Sequence, residues 1–245
     1  MSHYFDRAPT TASASHTVPL VLPDLTVELR TDRGVFSAER VDPGTKLLLS
    51  EAPRPPAVGD VLDVGCGYGP IAVALALRSP GSHVWAVDVN ARARSLTTLN
   101  AQALNARNVT VADPASVPHA TRFAAIYSNP PIRVGKVDLH VLLVHWIRRL
   151  LPGAGAYLVV HKHLGADSLA RWMTTEHGWR VERLASRMGY RILQVRPSEG
   201  AHDARPGASA AGDRAGGGQS GAGGAPTGGG IAGRGGAAAT SQAPS

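Results

Sequence analysis

Asp63-Val64-Gly65-Cys66-Gly67-Tyr68-Gly69-Pro70 is the stretch that decides the fold. An apolar run holding Val58, Val61, Leu62 and Val64 precedes it, and Ile71, Ala72, Val73, Leu75 and Ala76 follow as a helical stretch. A glycine run between such neighbours is the turn after the first strand of a parallel sheet, where ligands bind beyond the strand ends. The spacing is Gly-x-Gly-x-Gly. The dinucleotide fingerprint needs its third glycine at position 70, where the helix must approach the strand and a pyrophosphate sits on the amides, and Pro70 stands there instead. This argues against NAD and FAD.

Outward from the loop, the chain alternates strand and helix signals. Val18, Leu20, Leu22 and then Leu25, Val27, Leu29 alternate with polar residues around Pro23-Asp24, which predicts a β-hairpin over residues 17–36; a short helix is expected at 44–51. Strands are expected at 59–64, 83–88, 108–112, 123–128 and 155–161, and helices at 69–78, 91–105, 136–151 and 165–176. Pro70 at the first helical position, Asn90 as a cap and Pro152-Gly153 after the fourth helix mark boundaries. Residues 180–185 and 190–196 flank Met188-Gly189 as an antiparallel pair. The fold class is therefore α/β, a doubly wound sheet closed by an antiparallel hairpin and preceded by a shorter one. Residues 1–56 read as an extension packed on a catalytic domain at 57–196.

The remainder, 197–245, has a different composition. It is rich in Gly, Ala, Ser and Pro, holds 15 of the 28 glycines, and has Ile231 as its one large aliphatic residue. Such a segment buries too little apolar surface to offset its ordering entropy, so disorder is expected. Its three arginines and three acids cancel, which leaves the whole formal charge of +7 on residues 1–196. A basic domain with a pI near 10.2 favours a polyanion such as RNA as partner. The single cysteine, Cys66, excludes an internal disulfide framework and fits a reducing cytoplasm; in a tight loop it reads as a small filler, not a nucleophile. No run of 18 apolar residues suggests a membrane span, and no Cys or His spacing suggests a metal.

A second motif, Ser128-Asn129-Pro130-Pro131-Ile132, follows the glycine loop at the distance of one further α/β unit. A loop opened by an acid and lined with glycine N–H groups suits a ligand that carries a cationic amine beside a carboxylate and no phosphate, as S-adenosylmethionine does. At this point the chain resembles the class I S-adenosylmethionine-dependent methyltransferases. Within them it is similar to the small-domain enzymes that modify guanine N2 in small-subunit (16S) ribosomal RNA. The likeness covers about residues 33–196 and rests on an ordered series. That series is Gly34-Val35-Phe36-Ser37, Asp42-Pro43-Gly44-Thr45-Lys46-Leu47-Leu48-Leu49, the glycine loop, Val87-Asp88-Val89-Asn90, Ser128 to Arg133, and Gly189-Tyr190-Arg191. The resemblance implies a seven-stranded Rossmann-like methyltransferase sheet of order 3-2-1-4-5-7-6. It also implies S-adenosyl-L-methionine as cofactor and ribosomal RNA or the small ribosomal subunit as partner.

The candidate site residues divide by role. Asp63, Gly65, Gly67, Gly69, Asp88 and Asp113 are cofactor-binding candidates. Asp63 ends the first strand, orienting the loop or meeting the methionine amine through water; a capping residue for the turn is the alternative. The glycines let backbone approach the ligand. Asp88 ends the second strand, where an acid takes both ribose hydroxyls. Asp113 is placed near the adenine amino group by the resemblance; a turn-forming Asp before Pro114 is the alternative. Asn129, Pro130 and Pro131 are the catalytic candidates. Two prolines fix φ, so the Asn129 side-chain carbonyl and the Pro130 main-chain carbonyl can aim at the two hydrogens of a planar amine. Ile132, Arg133 and Lys136 are substrate candidates: Ile132 replaces the aromatic with which many relatives stack the target base, Arg133 offers a stacking plane, and both cations offer phosphate contacts. The same motif serves adenine N6, guanine N2 and glutamine N5. A methyltransferase of another amine acceptor and a non-catalytic RNA-binding assembly factor are therefore the alternative readings. His140, His145, His161 and His163 read as surface or hydrogen-bonding histidines, and Arg148, Arg149, Lys162 and Arg187 as solvated surface.

Overall fold

The computed structural model describes residues 12–198. Beyond Ser198, the expectation for the 197–245 segment falls outside the described residues. Strands β1 (His16–Leu22) and β2 (Leu25–Thr31) form the first hairpin, closing at Leu22 opposite Leu25. It stops short of residue 36 because Asp32 turns the chain, its carboxylate accepting from Ala14 N at 2.6 Å and Arg33 N at 2.7 Å. Helix α1 (Pro43–Glu51) is capped by Asp42 and has Pro43 in its first turn. Residues of the hairpin and α1 (Leu20, Leu29, Leu48) share one apolar core with Val61 and Ile71, so this extension is built into the α/β body.

The rest alternates in the expected order. Strand β3 (Gly59–Val64) is followed by α2 (Pro70–Arg78), β4 (Ser82–Val87), α3 (Ala91–Ala103), β5 (Val109–Ala112) and β6 (Phe123–Ser128). Then come α4 (Lys136–Ile147), β7 (Leu150–His161), α5 (Ala166–His177), β8 (Arg180–Arg187) and β9 (Tyr190–Arg196). The seven-stranded sheet has the order β5-β4-β3-β6-β7-β9-β8, which is 3-2-1-4-5-7-6 counted from β3. Strands β3 to β7 pair in parallel, and β9 runs antiparallel to both β7 and β8. One face packs under the hairpin and α1 to α3, the other under α4 and α5 with Phe123, Trp146 and Trp179 at its centre. Burial on both faces explains the apolar run Phe123 to Tyr127 of β6.

The junction of α4 and β7 also differs from the sequence reading. Helix α4 ends at Ile147 rather than 151, and β7 begins at Leu150 rather than 155. Leu150 pairs with Phe123, after which the register shifts before Gly155 meets Ala125, so Pro152-Gly153 lies within the irregular part of a strand. Arg149, expected on the surface, is buried beside it. Its guanidinium donates to the Pro118 and Thr121 carbonyls at 2.5 and 3.2 Å and lies 4.8 Å from the Trp146 ring centroid.

Candidate active site

Strand register decides which loops meet. Strand β3 lies between β4 and β6, and Val64 is opposite both Val87 and Ser128. One residue further along these strands stand Gly65, Asp88 and Asn129, which therefore sit side by side at the carboxyl edge. A cavity of about 490 Å³ opens there, lined by all three. That is the size class of a cofactor pocket.

The three glycines have separate uses. All take positive φ, at 75°, 57° and 94° for Gly65, Gly67 and Gly69. A β-carbon at Gly67 would find nothing within 4 Å, and one at Gly65 would meet only Pro131 Cδ at 3.8 Å, so both keep open the space above their backbone. Gly69 is not in the cavity wall. A β-carbon there would lie 3.0 Å from Thr97 Cγ2, and its smallness lets α3 approach the loop. Thr97 also donates to the Gly67 carbonyl at 2.8 Å. The Cys66 thiol is buried against Thr97, and burial pushes its pKa well up, as befits a filler.

Asp88 lines the cavity and ties its rim together. One carboxylate oxygen accepts from Gly67 N at 2.9 Å and the other from Asn90 N at 2.8 Å. Each retains acceptor capacity for a ligand hydroxyl. Burial raises its pKa. Asp63 stands elsewhere: wholly buried behind the loop, it accepts from Ala72 N at 3.0 Å in the first turn of α2. It satisfies an N–H of the first helical turn, as the capping alternative has it, and does not line the cavity. Asp113 is likewise outside the cavity wall. It accepts from Ala115 N at 3.0 Å and pairs with Arg94 at 3.3 Å, while its neighbour Pro114 lines the cavity.

On the β6 side, Pro131 has φ −74° and ψ 72°, and Ile132 N donates to the Pro130 carbonyl at 2.8 Å. This is an inverse γ-turn, not an extended segment, and it already occupies one lone pair of Pro130 O. The Asn129 amide nitrogen donates to Asp42 Oδ2 at 2.9 Å and to Thr45 Oγ1 at 3.0 Å. Its Oδ1 carries no hydrogen bond among the described residues. Ile132 lines the cavity; Arg133 falls in the short 3₁₀ turn Ile132–Val134, and Lys136 opens α4 on the exposed surface.

Several lining residues had no assigned role. Val35, Phe36, Asp42 and Tyr190 belong to motifs of the ordered series, which was the available signal. His161 and His163, expected as surface or hydrogen-bonding histidines, line the cavity at the end of β7, with His163 N donating to His161 Nδ1 at 3.4 Å. His161 packs edge-on against Tyr190 with ring centroids 4.9 Å apart. Burial, then the nearby Asp42 carboxylate, raises the Tyr190 pKa.

Residues 26–194 match the methyltransferase small domain model, and the chain belongs to that family. It is an S-adenosylmethionine-dependent methyltransferase with a Rossmann-like sheet. Among its relatives, the uncharacterized protein YbxB of Bacillus subtilis is 32% identical over 79% of this chain and 98% of its own length. Ribosomal RNA small subunit methyltransferase C of Shewanella halifaxensis is 34% identical over 65% of this chain and 46% of its own. The Thermus thermophilus 16S rRNA N2 G1207 methyltransferase, solved with AdoMet and guanosine, superposes with a TM-score of 0.63 at 25% identity. The alignment covers 77% of this chain and 52% of that one. The chain thus spans about half the length of the ribosomal RNA methyltransferases it matches. The open space over Gly65 and Gly67 and the unshared lone pairs of Asp88 fit the cofactor's amino-acid and ribose groups.

Proposed function

We propose that this protein transfers a methyl group from S-adenosylmethionine to the exocyclic N2 of guanine in small-subunit ribosomal RNA. The observation that carries the reading is Asn129. It leaves the strand next to the glycine loop, with its amide nitrogen held and its carbonyl oxygen left for an acceptor amine. Bound cofactor supplies an electrophilic methyl on a sulfonium whose thioether leaves without further activation. Asn129 Oδ1, with the remaining lone pair of Pro130 O, would accept from the two amine hydrogens and turn the nitrogen lone pair towards that methyl, and the methylated nitrogen would then release one of these protons to solvent. The chain's contribution is positioning and charge stabilisation. Asp88 holds the ribose, and Gly65 and Gly67 give it backbone access. Tyr190, His161 and Phe36 supply the aromatic wall that Ile132 does not. The guanine and RNA parts of the reading are supported by the relatives named above and by the basic charge of residues 1–196.

The test is mass spectrometry of nucleosides from small-subunit ribosomal RNA of a strain lacking the gene. One N2-methylguanosine should be lost, restored by the wild-type gene, and not restored by Asn129→Ala. Loss of this acceptor should slow transfer on the order of a hundredfold to a thousandfold. An unchanged nucleoside profile, with radiolabel entering an RNA-free protein fraction, would move the activity to a different amine acceptor.

A further inference from the structure

We infer that Asp42 and Thr45, at the start of α1, are positioning residues that set which way the Asn129 amide faces. The inference rests on the proposal that Asn129 Oδ1 is the acceptor for the substrate amine. An asparagine side chain is nearly symmetric in shape, so nothing steric distinguishes a cavity-facing carbonyl from a cavity-facing amide nitrogen. The two faces are chemically opposite. A carbonyl accepts from the substrate's N–H groups, whereas a flipped NH₂ would oppose donor with donor and leave the amine undirected. The neighbours must therefore choose.

They do so with an acceptor that cannot donate. A carboxylate accepts only, and Asp42 Oδ2 lies 2.9 Å from Asn129 Nδ2, so the amide nitrogen is the group that faces it. Thr45 Oγ1 takes the second hydrogen at 3.0 Å. With both Nδ2 hydrogens engaged, Oδ1 is the group left for the acceptor. The carboxylate is itself fixed: the same Oδ2 accepts from Thr45 N at 3.0 Å as the helix cap, and the Tyr190 hydroxyl donates to Oδ1 at 3.5 Å. Gly44 completes the arrangement. A β-carbon there would lie 2.8 Å from Asp42 Oδ2 and 2.7 Å from the Tyr190 ring, so any side chain would displace one of them. The cap of α1 and the orientation of Asn129, 87 residues apart in the chain, are one hydrogen-bonded unit.

The experiment separates capping from positioning. Asp42→Ser keeps a good N-cap but is too short to reach Asn129, whereas Asp42→Asn restores a carbonyl oxygen at the same reach and also caps well. Transfer to small-subunit RNA and cofactor affinity are measured for both, for Asn129→Ala, and for the Asp42→Ser/Asn129→Ala double variant. We expect Asp42→Ser to lower kcat about tenfold to a hundredfold with cofactor Kd within a few-fold of wild type, and Asp42→Asn to recover most of it. The double variant should be no slower than Asn129→Ala alone, because a residue acting through Asn129 has nothing left to position. Wild-type kcat in Asp42→Ser, or multiplying losses in the double variant, overturns the inference. Wild-type activity in Asn129→Ala instead overturns the acceptor reading and takes the inference with it. Hydrogen exchange of the Asn129 side-chain NH₂, assigned by its loss in Asn129→Ala, gives a readout that needs no substrate. It should be slowed in wild type and Asp42→Asn and fast in Asp42→Ser; equal exchange in all three overturns the inference.

Discussion

At the scale of single residues, Asp63 shows how an acid beside a site can serve the adjoining helix instead of the ligand. Its carboxyl is fully buried, with one oxygen bonded to Ala72 N and the other without a partner among the described residues, and burial raises its pKa well above the ordinary 3.8. The sign follows from linkage. A carboxyl whose folded pKa is raised binds its proton more tightly in the native state, so its contribution to stability is full below 3.8 and is lost as pH rises through the raised value. Each unit of elevation costs about 1.4 kcal/mol at neutral pH, equivalent to roughly 3 to 6 °C in a domain of this size. Asp63→Asn keeps an acceptor for Ala72 N and removes the titration. Its melting temperature relative to wild type should therefore climb as the pH rises from about 4 to 8, as scanning calorimetry would show. A difference that stays flat would mean that Asp63 does not change charge on folding. Residues such as Asp63, Asp88 and Asn129 were readable because each ends a strand, and strand ends converge in a parallel sheet. The roles of Asp42 and Tyr190 were not, although both lie in motifs of the ordered series, because Asp42 meets Asn129 and Tyr190 across 87 and 148 residues, by packing that no local pattern encodes.

At the scale of elements, the parallel strands and the terminal hairpin followed from alternation and glycines, and the strand order from the family resemblance. The end of α4 did not. Pro152-Gly153 is a sound stop signal by local chemistry, but the buried pairing of Leu150 with Phe123 starts β7 ahead of it and absorbs it as an irregularity. Tertiary pairing outweighed the turn preference. The same kind of long-range packing binds α1 into the body through Leu48, which is wholly buried in the core shared with β3 and α2. Leu48→Ala should cost about 2 to 5 kcal/mol. Trp146 and Trp179 lie in the other core, across the sheet, and report on it independently. If hairpin, α1 and sheet unfold as one unit, denaturant transitions followed by tryptophan fluorescence and by far-ultraviolet circular dichroism will shift together in this variant. A fluorescence midpoint that does not move would show that α1 melts separately from the second core.

At the scale of the whole molecule, charge and chemistry are separate devices. The formal charge of +7 belongs to residues 1–196, whereas the proposed acceptor contacts are neutral amide and carbonyl groups inside a cavity with largely apolar walls. The proposed RNA partner would therefore be drawn and held by phosphate contacts and presented to Asn129 by a few short-range bonds. These two contributions respond differently to salt. Neutralising three or four phosphates of a single strand releases counterions and should weaken RNA binding about 20- to 50-fold between 50 and 200 mM salt. Asn129→Ala should leave that slope unchanged, since it removes no charge, even though it slows transfer. Cofactor affinity should hardly vary over the same range, because the cavity recognises its ligand at hydrogen-bond distance, where screening is weak. Filter binding of small-subunit RNA across the salt series, beside calorimetry of the cofactor, measures both. RNA affinity independent of salt would place recognition in the cavity alone and remove the basic surface from the proposed function.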